Sequence, residues 1–193
     1  MKMPNRIFFS GAPGSKWSGI AQILESTLEL NISDRTPARE YTHGKYSGHK
    51  GAYFGNGMEF ETKLLPEYLD GAWVDPTAGC KIVKSHDWVY QLPQIKEKFP
   101  NDWIMLVYRP TESSFNWWKE AGGFDISYPS YAWYENDEKM KKEIAAQNEE
   151  MLKFTHSVNA KWQHFSSSWV NETFDTRCEF AYPTYDILVT VIK

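Results

Sequence analysis

Apolar positions along the chain fall into short continuous runs separated by stretches with a helical period, the alternation expected of buried strands and half-buried helices. The run RIFFS (6–10) stops at Gly11, and Trp17, Ile20, Ala21, Leu24 and Leu28 then recur at i, i+3, i+4, i+7 and i+11. This predicts a strand, a glycine-rich turn and a helix with one buried face. GCKIVKSH (79–86) predicts a second strand. After it, Leu92, Ile95 and Phe99 suit a short helix with Pro93 near its start and Pro100 at its end. DWIMLVYR (102–109) is the most apolar run and a third strand. PTESSFNWWKEAGGF then predicts a helix from about Thr111, closed by Gly122 and Gly123. Residues 135–160 are charged with a looser apolar stripe of Met140, Ile144, Met151, Leu152 and Thr155, and YDILVTVIK (185–193) predicts a final strand. Residues 31–79 keep no period and predict loops around short strands, with a short helix near 64–69. The alternation as a whole predicts an α/β fold: a doubly wound parallel sheet with flanking helices, in one domain spanning 1–193. Ligands of such sheets collect at the carboxyl ends of the strands, beside helix N-termini.

Composition narrows the partners. The net charge is −4, from 21 basic and 25 acidic residues, which argues against a nucleic-acid surface, since phosphate-backbone binding needs a basic face. A small anion needs only a few placed cations. The two cysteines, Cys80 and Cys178, have no motif spacing, so neither a disulfide framework nor a metal site is expected. The N-terminal apolar run is too short for a signal peptide and no stretch approaches a membrane span, so a cytoplasmic protein without membrane attachment is expected. Aromatic residues reach 16%, with nine tryptophans, enough for an apolar or stacking pocket as well as a core.

Candidate chemistry sits at the strand ends. The turn Gly11-Ala12-Pro13-Gly14-Ser15-Lys16-Trp17-Ser18 offers backbone N–H groups, two hydroxyls and a lysine at a helix start, an arrangement suited to an anion. It also reads as a plain strand-to-helix turn with Ser15 as N-cap. A nucleoside triphosphate loop would follow G-x-x-x-x-G-K-[ST], with the hydroxyl residue on magnesium; here the glycine spacing is shorter and Trp17 follows Lys16. Lys84 and His86 alternate onto one side of an extended strand end, where the lysine disfavours a charged imidazole. His86 is then a candidate base and Lys84 a candidate stabiliser of charge on a departing phosphate oxygen. An exposed Lys-His pair at a strand edge is the plain alternative. Arg109 ends the third strand just before a helix bearing Thr111, Ser113, Ser114 and Asn116. It suits either a bidentate phosphate contact or a structural ion pair.

Taken together, FFSGAPGSKWSGIAQIL, KIVKSHDWVYQLPQIKEKFP and DWIMLVYRPTESSFNWWKEAGGF resemble the sulfotransferases that use 3′-phosphoadenosine 5′-phosphosulfate (PAPS), as a short divergent member of that P-loop-like fold. The likeness rests on Lys84-Ser85-His86, Leu92-Pro93, Val107-Tyr108-Arg109 and Phe115-Asn116-Trp117-Trp118. It implies a PAPS-dependent transfer of a sulfuryl group to a hydroxyl or amine of a small-molecule or glycan acceptor, with no metal. Residues Gly11 to Ser18 would hold the 5′-phosphosulfate, Arg109 the 3′-phosphate, and Ser113 or Ser114 would donate to that phosphate. His86 would be the base, with Lys84 and Lys16 on the transferred group. The acceptor would enter past residues 41–60, which include His43 and His49. The pattern departs from the family at Gly14, where the family has lysine, at Lys16, where it has glycine, and at Trp117, where it has the 3′-phosphate serine. The resemblance does not extend to the family's C-terminal arginine-lysine-glycine segment, so adenosine-side contacts are expected from elsewhere, such as Trp or Tyr residues within 125–185, or are expected to be weaker. The alternatives from other classes are a P-loop small-molecule kinase and a nucleotide-binding module without catalysis. The sequence leaves the oligomeric state open.

Overall fold

The computed structural model describes residues 2–43, 47–125, 135–182 and 184–193, with the side chains of His43 and Ser47 outside the description. Its centre is a five-stranded mixed sheet in the order β4-β1-β5-β7-β6. The strands are β1 (Arg6–Gly11), β4 (Lys81–Lys84), β5 (Trp103–Tyr108), β6 (Gln163–His164) and β7 (Leu188–Ile192). A separate hairpin pairs β2 (Glu40–His43) with β3 (Ser47–Lys50). The helices are α1 (Trp17–Thr27), α2 (Pro66–Asp70), α3 (Leu92–Lys98), α4 (Thr111–Glu120), α5 (Asp137–Ser157) and α6 (Ser167–Phe174).

The expected all-parallel sheet holds only for its centre. β1 lies parallel to β4 and β5, with Phe9 beside Lys84 and Gly11 beside Val107. β7 runs antiparallel to β5, Tyr108 facing Leu188. An apolar run such as ILVTVI reports burial and not direction, so periodicity could not reveal the reversal.

Two apolar layers cover the sheet. Phe8, Val83, Ile104 and Leu106 meet Leu92, Ile95, Phe115, Trp118, Met140 and Ile144 of α3, α4 and α5 on one face. Ile7, Phe9, Ile82, Met105 and Val107 meet Trp17, Ile20 and Leu24 of α1 and Trp169 and Val170 of α6 on the other. On α5 the stripe of Met140, Ile144, Met151 and Thr155 is buried, but Leu152 is 42% exposed and Phe154 takes its place in the core. α6 and β6 had no clear periodic signal.

The amino end of the sheet is closed by charge. Arg6 pairs with Asp102 at 2.6 Å and Asp70 at 2.7 Å, and Lys81 reaches Asp70 at 2.9 Å. Buried ions survive there because each has an opposite partner. Among the described residues, no helix is long and apolar enough to cross a membrane.

Candidate functional site

β1 ends at Gly11 and the chain turns immediately into α1, so residues 11–18 sit at the carboxyl rim of the sheet. The turn is tight: the Ser15 amide donates to the Ala12 carbonyl at 3.0 Å, and Gly14 and Lys16 both take left-handed backbone angles, φ +77° and +64°. Ala12 and Pro13 are buried. Gly14 is obligatory, since a Cβ there would stand 1.9 Å from the Ser114 carbonyl oxygen. The first turn of α4 therefore sits against the loop, which accounts for glycine where the sulfotransferase pattern has lysine.

Ser15 is fully buried and its hydroxyl has no hydrogen-bond partner. It folds back over Gly11, whose added Cβ would come within 2.7 Å of it. Buried hydroxyls are nearly always satisfied; this one shares its lack of a protein partner with the side-chain oxygens of Gln147 and Asn148, and it sits at a helix start, where backbone N–H groups favour an anion. Ser15 is not the N-cap that its spacing suggested: Lys16 holds that position, and no side chain caps α1.

Lys16 reaches away from the turn. Its ammonium lies 4.0 Å over the Trp117 ring and donates to Thr184 Oγ1 at 3.1 Å. Burial and the neighbouring Arg109 hold it below the ordinary lysine value, with Asp186 and Glu120 acting in the opposite sense. Trp17 points into the core and stacks on Phe9, while its ring also lies 4.6 Å from that of His86.

His86 follows the end of β4 in a helical backbone conformation and opens the 3-10 turn Asp87–Tyr90. The alternation expected of an extended strand end has already stopped there. The turn is locked to β1 by Ser10, whose hydroxyl lies 2.6 Å from the Ser85 carbonyl. His86 Nδ1 lies 2.5 Å from the Gly11 carbonyl. A carbonyl only accepts, so Nδ1 carries the proton. The ring packs between Trp17 and Tyr53 and the residue is 9% exposed.

Lys84 does not join it. Its ammonium pairs with Glu25 of α1 at 3.0 Å and donates to the Lys50 carbonyl at 2.6 Å, in a site that is 2% exposed. Glu25 is shared with Arg35 at 2.6 Å. Lys84 thus bridges β4, α1 and the hairpin, and the expected role on a transferred group passes away from it.

Arg109 remains beside the turn. Nε donates to Asp186 at 3.0 Å and Nη1 to the Gly14 carbonyl at a longer 3.4 Å. Of the two serines, Ser114 is fully buried and its hydroxyl donates to the Arg109 carbonyl at 3.2 Å. Ser113 is half-buried beside Asp186, whose carboxyl it helps hold below the ordinary value. Thus His86 and Arg109 each contact the turn, at Gly11 and at Gly14, while Lys84 faces elsewhere.

A cavity of about 380 Å³ opens beside the turn, with Lys16 and Ser18 on its floor. Tyr41, His49 and Lys50 of the hairpin form one wall, and Trp117 and Tyr182 close it. Among the described residues its lining does not include Lys84, His86 or Arg109. The hairpin wall falls in the 41–60 segment expected to admit the acceptor. His49 is buried against Tyr41 and Tyr53, with ring centroids 4.5 and 5.2 Å away, while the side chain of His43 lies outside the described residues. Tyr182 belongs to the 125–185 stretch, of which residues 126–134 are also outside them. Lys50 and Tyr182 carried no motif, and only the folded hairpin and C-terminal segment bring them to the loop.

No protein-family model, curated protein or solved structure matches the chain.

Proposed function

We propose that the chain binds PAPS at the Gly11–Ser18 turn and promotes transfer of its sulfuryl group to an acceptor hydroxyl or amine, on a P-loop sulfotransferase type of fold. The observation that carries the proposal is the orphaned Ser15 hydroxyl, enclosed at the start of α1 where an anionic oxygen would satisfy it. Lys16 adds support, because its left-handed backbone is the conformation glycine favours, and glycine is what the resemblance expects at that position. The parallel β4-β1-β5 centre, with the loop running from β1 into α1, agrees with this fold, while the reversed β7 departs from a wholly parallel sheet.

PAPS held at the turn would supply an electrophilic sulfur, its bond to the bridging phosphate oxygen being exchanged for one to the acceptor oxygen or nitrogen. His86 Nε2 takes the acceptor's proton, with the imidazole oriented by its bond to Gly11. Lys16 and the loop amides offset charge on the departing oxygen. Arg109 and Ser113 would hold the 3′-phosphate. Lys84 acts only through the fold.

A second reading, a nucleotide-binding module without turnover, is favoured by the burial of His86 and its absence from the cavity lining. The two separate in one comparison. Thermal unfolding is followed with adenosine 3′,5′-bisphosphate, with ATP and magnesium, and without ligand, and sulfuryl transfer is then assayed on an acceptor panel. A saturating bisphosphate stabilises by about 2–3 kcal/mol at a hundredfold excess over Kd. Stabilisation by ATP and magnesium alone would transfer the site to kinase chemistry, and binding with no transfer would leave the module.

A further inference from the structure

Asp186 sits on the donors that the proposed reading gives to a phosphate. Its carboxylate accepts from Arg109 Nε at 3.0 Å, and Ser113 beside it joins Arg109 in holding the carboxyl below its ordinary value against the effect of burial. Two residues earlier, Thr184 Oγ1 accepts from Lys16. The short segment 184–186 therefore presents oxygen atoms to Arg109 and Lys16, two cations ranged around the loop.

Among the described residues, no strand pairing holds 184–186. Tyr185 is 86% exposed, and the next buried apolar anchor is Ile187. Ladder pairing of β7 begins only at Leu188, opposite Tyr108. Residues 184–186 can lift from the loop without unpairing a strand. The Asp186 side chain is 35% exposed, so its ion pair is open to exchange with an outside anion.

We propose that Asp186 is an internal counter-anion, seated on Arg109 and Ser113 in the free protein and displaced by the phosphate monoester of an incoming ligand. The inference rests on the reading of Arg109 and Ser113 as phosphate donors. The 184–186 segment then acts as a polar strap whose release accompanies binding. A ligand must outcompete a carboxylate already in place, so apparent affinity falls by the fraction of molecules in which the strap is released. A dianionic phosphate with three oxygens has the advantage over Asp186 that a monoanionic carboxylate ligand lacks, and the device selects phosphate monoesters.

Inorganic phosphate is titrated calorimetrically into the wild type, Asp186→Asn and Glu120→Gln. Asp186→Asn is expected to bind roughly tenfold more tightly. Glu120→Gln removes an equal charge near Lys16 without freeing Arg109, and is expected to stay within about twofold of wild type. Phosphate binding no tighter in Asp186→Asn, or an equal gain in Glu120→Gln, overturns the proposal. Should Asp186→Asn fail to fold, amide exchange of the wild type decides: saturating phosphate should speed exchange at residues 184–187, and unchanged exchange there overturns it. The probe carries neither adenosine nor sulfate, so failure of sulfuryl transfer leaves this result standing, and the two readings fail separately.

Discussion

His86 and Gly11 are joined by a 2.5 Å contact between imidazole Nδ1 and a main-chain carbonyl at the point where β1 becomes the loop. The bond sets the tautomer and ties the candidate base to the backbone of the candidate anion site. His86→Ala is expected to lower transfer on the order of 10²–10⁴-fold while adenosine 3′,5′-bisphosphate binds as in the wild type. Calorimetry and a transfer assay on the same preparation check this. Full turnover in the variant would remove His86 from the chemistry.

Ser15→Ala separates ligand from fold. Removing an unsatisfied buried hydroxyl takes away a polar group with nothing to lose, so the free variant should match or slightly exceed wild-type stability, within about 0.5 kcal/mol. Its stabilisation by the bisphosphate should fall. Paired thermal melts with and without ligand measure both, and a strongly destabilised free variant would show that the hydroxyl is held by the protein itself.

At Gly14 two effects add: a left-handed backbone and a Cβ position 1.9 Å from the Ser114 carbonyl. Gly14→Ala should cost at least about 2 kcal/mol in urea unfolding. Gly14→Lys, which writes in the lysine of the sulfotransferase pattern, should lose stability as well and gain no activity.

Lys84 gives the opposite signature to His86. Lys84→Met leaves the buried Glu25 with Arg35 as its remaining cation partner, at an expected cost of about 3 kcal/mol. Adding Glu25→Gln should recover part of that loss, since the uncompensated charge is gone. Denaturant midpoints of the single and double variants test the coupling.

Acid should act through the far end of the sheet. Burial opposes ionisation of Asp70, but Arg6 and Lys81 outweigh it and hold the carboxyl below its ordinary value. The folded state therefore binds this proton less readily than the unfolded chain, and the contribution is complete above roughly pH 5. It is lost as pH falls through the lowered folded value. Asp70→Asn should be less stable than wild type near neutrality, with the gap closing toward about pH 2. A gap that persisted unchanged into acid would assign Asp70 a role independent of its charge.

Local signals in the sequence were strong where one element determines them. The face of Trp17, Ile20 and Leu24, the proline-led start of α3 and the glycine-closed end of α4 all follow from period and punctuation, and the structure has them. What depends on two distant segments was hidden. Nothing near Lys84 in sequence announces Glu25, 59 positions away, nor does Arg109 announce Asp186, 77 positions on. The direction of β7 belongs to the same class, and it matters here: because that strand descends from the carboxyl rim, its lead-in residues Thr184 and Asp186 arrive beside the loop. A parallel final strand would have begun at the other end, near Arg6. In residues 31–79 the short helix expected near 64–69 is present as α2 and short strands occur, but the pairing that makes Tyr41, His49 and Lys50 one hairpin joins segments that no period links.

The ammonium of Lys16 poised over the indole of Trp117 makes the molecule its own optical gauge. Indole emission responds to a charge held against its face, so any occupant that draws Lys16 off the ring changes colour or brightness without a dye. Trp117→Phe is the natural blank against the other eight tryptophans. Occupancy of the loop then becomes something a fluorometer follows in real time.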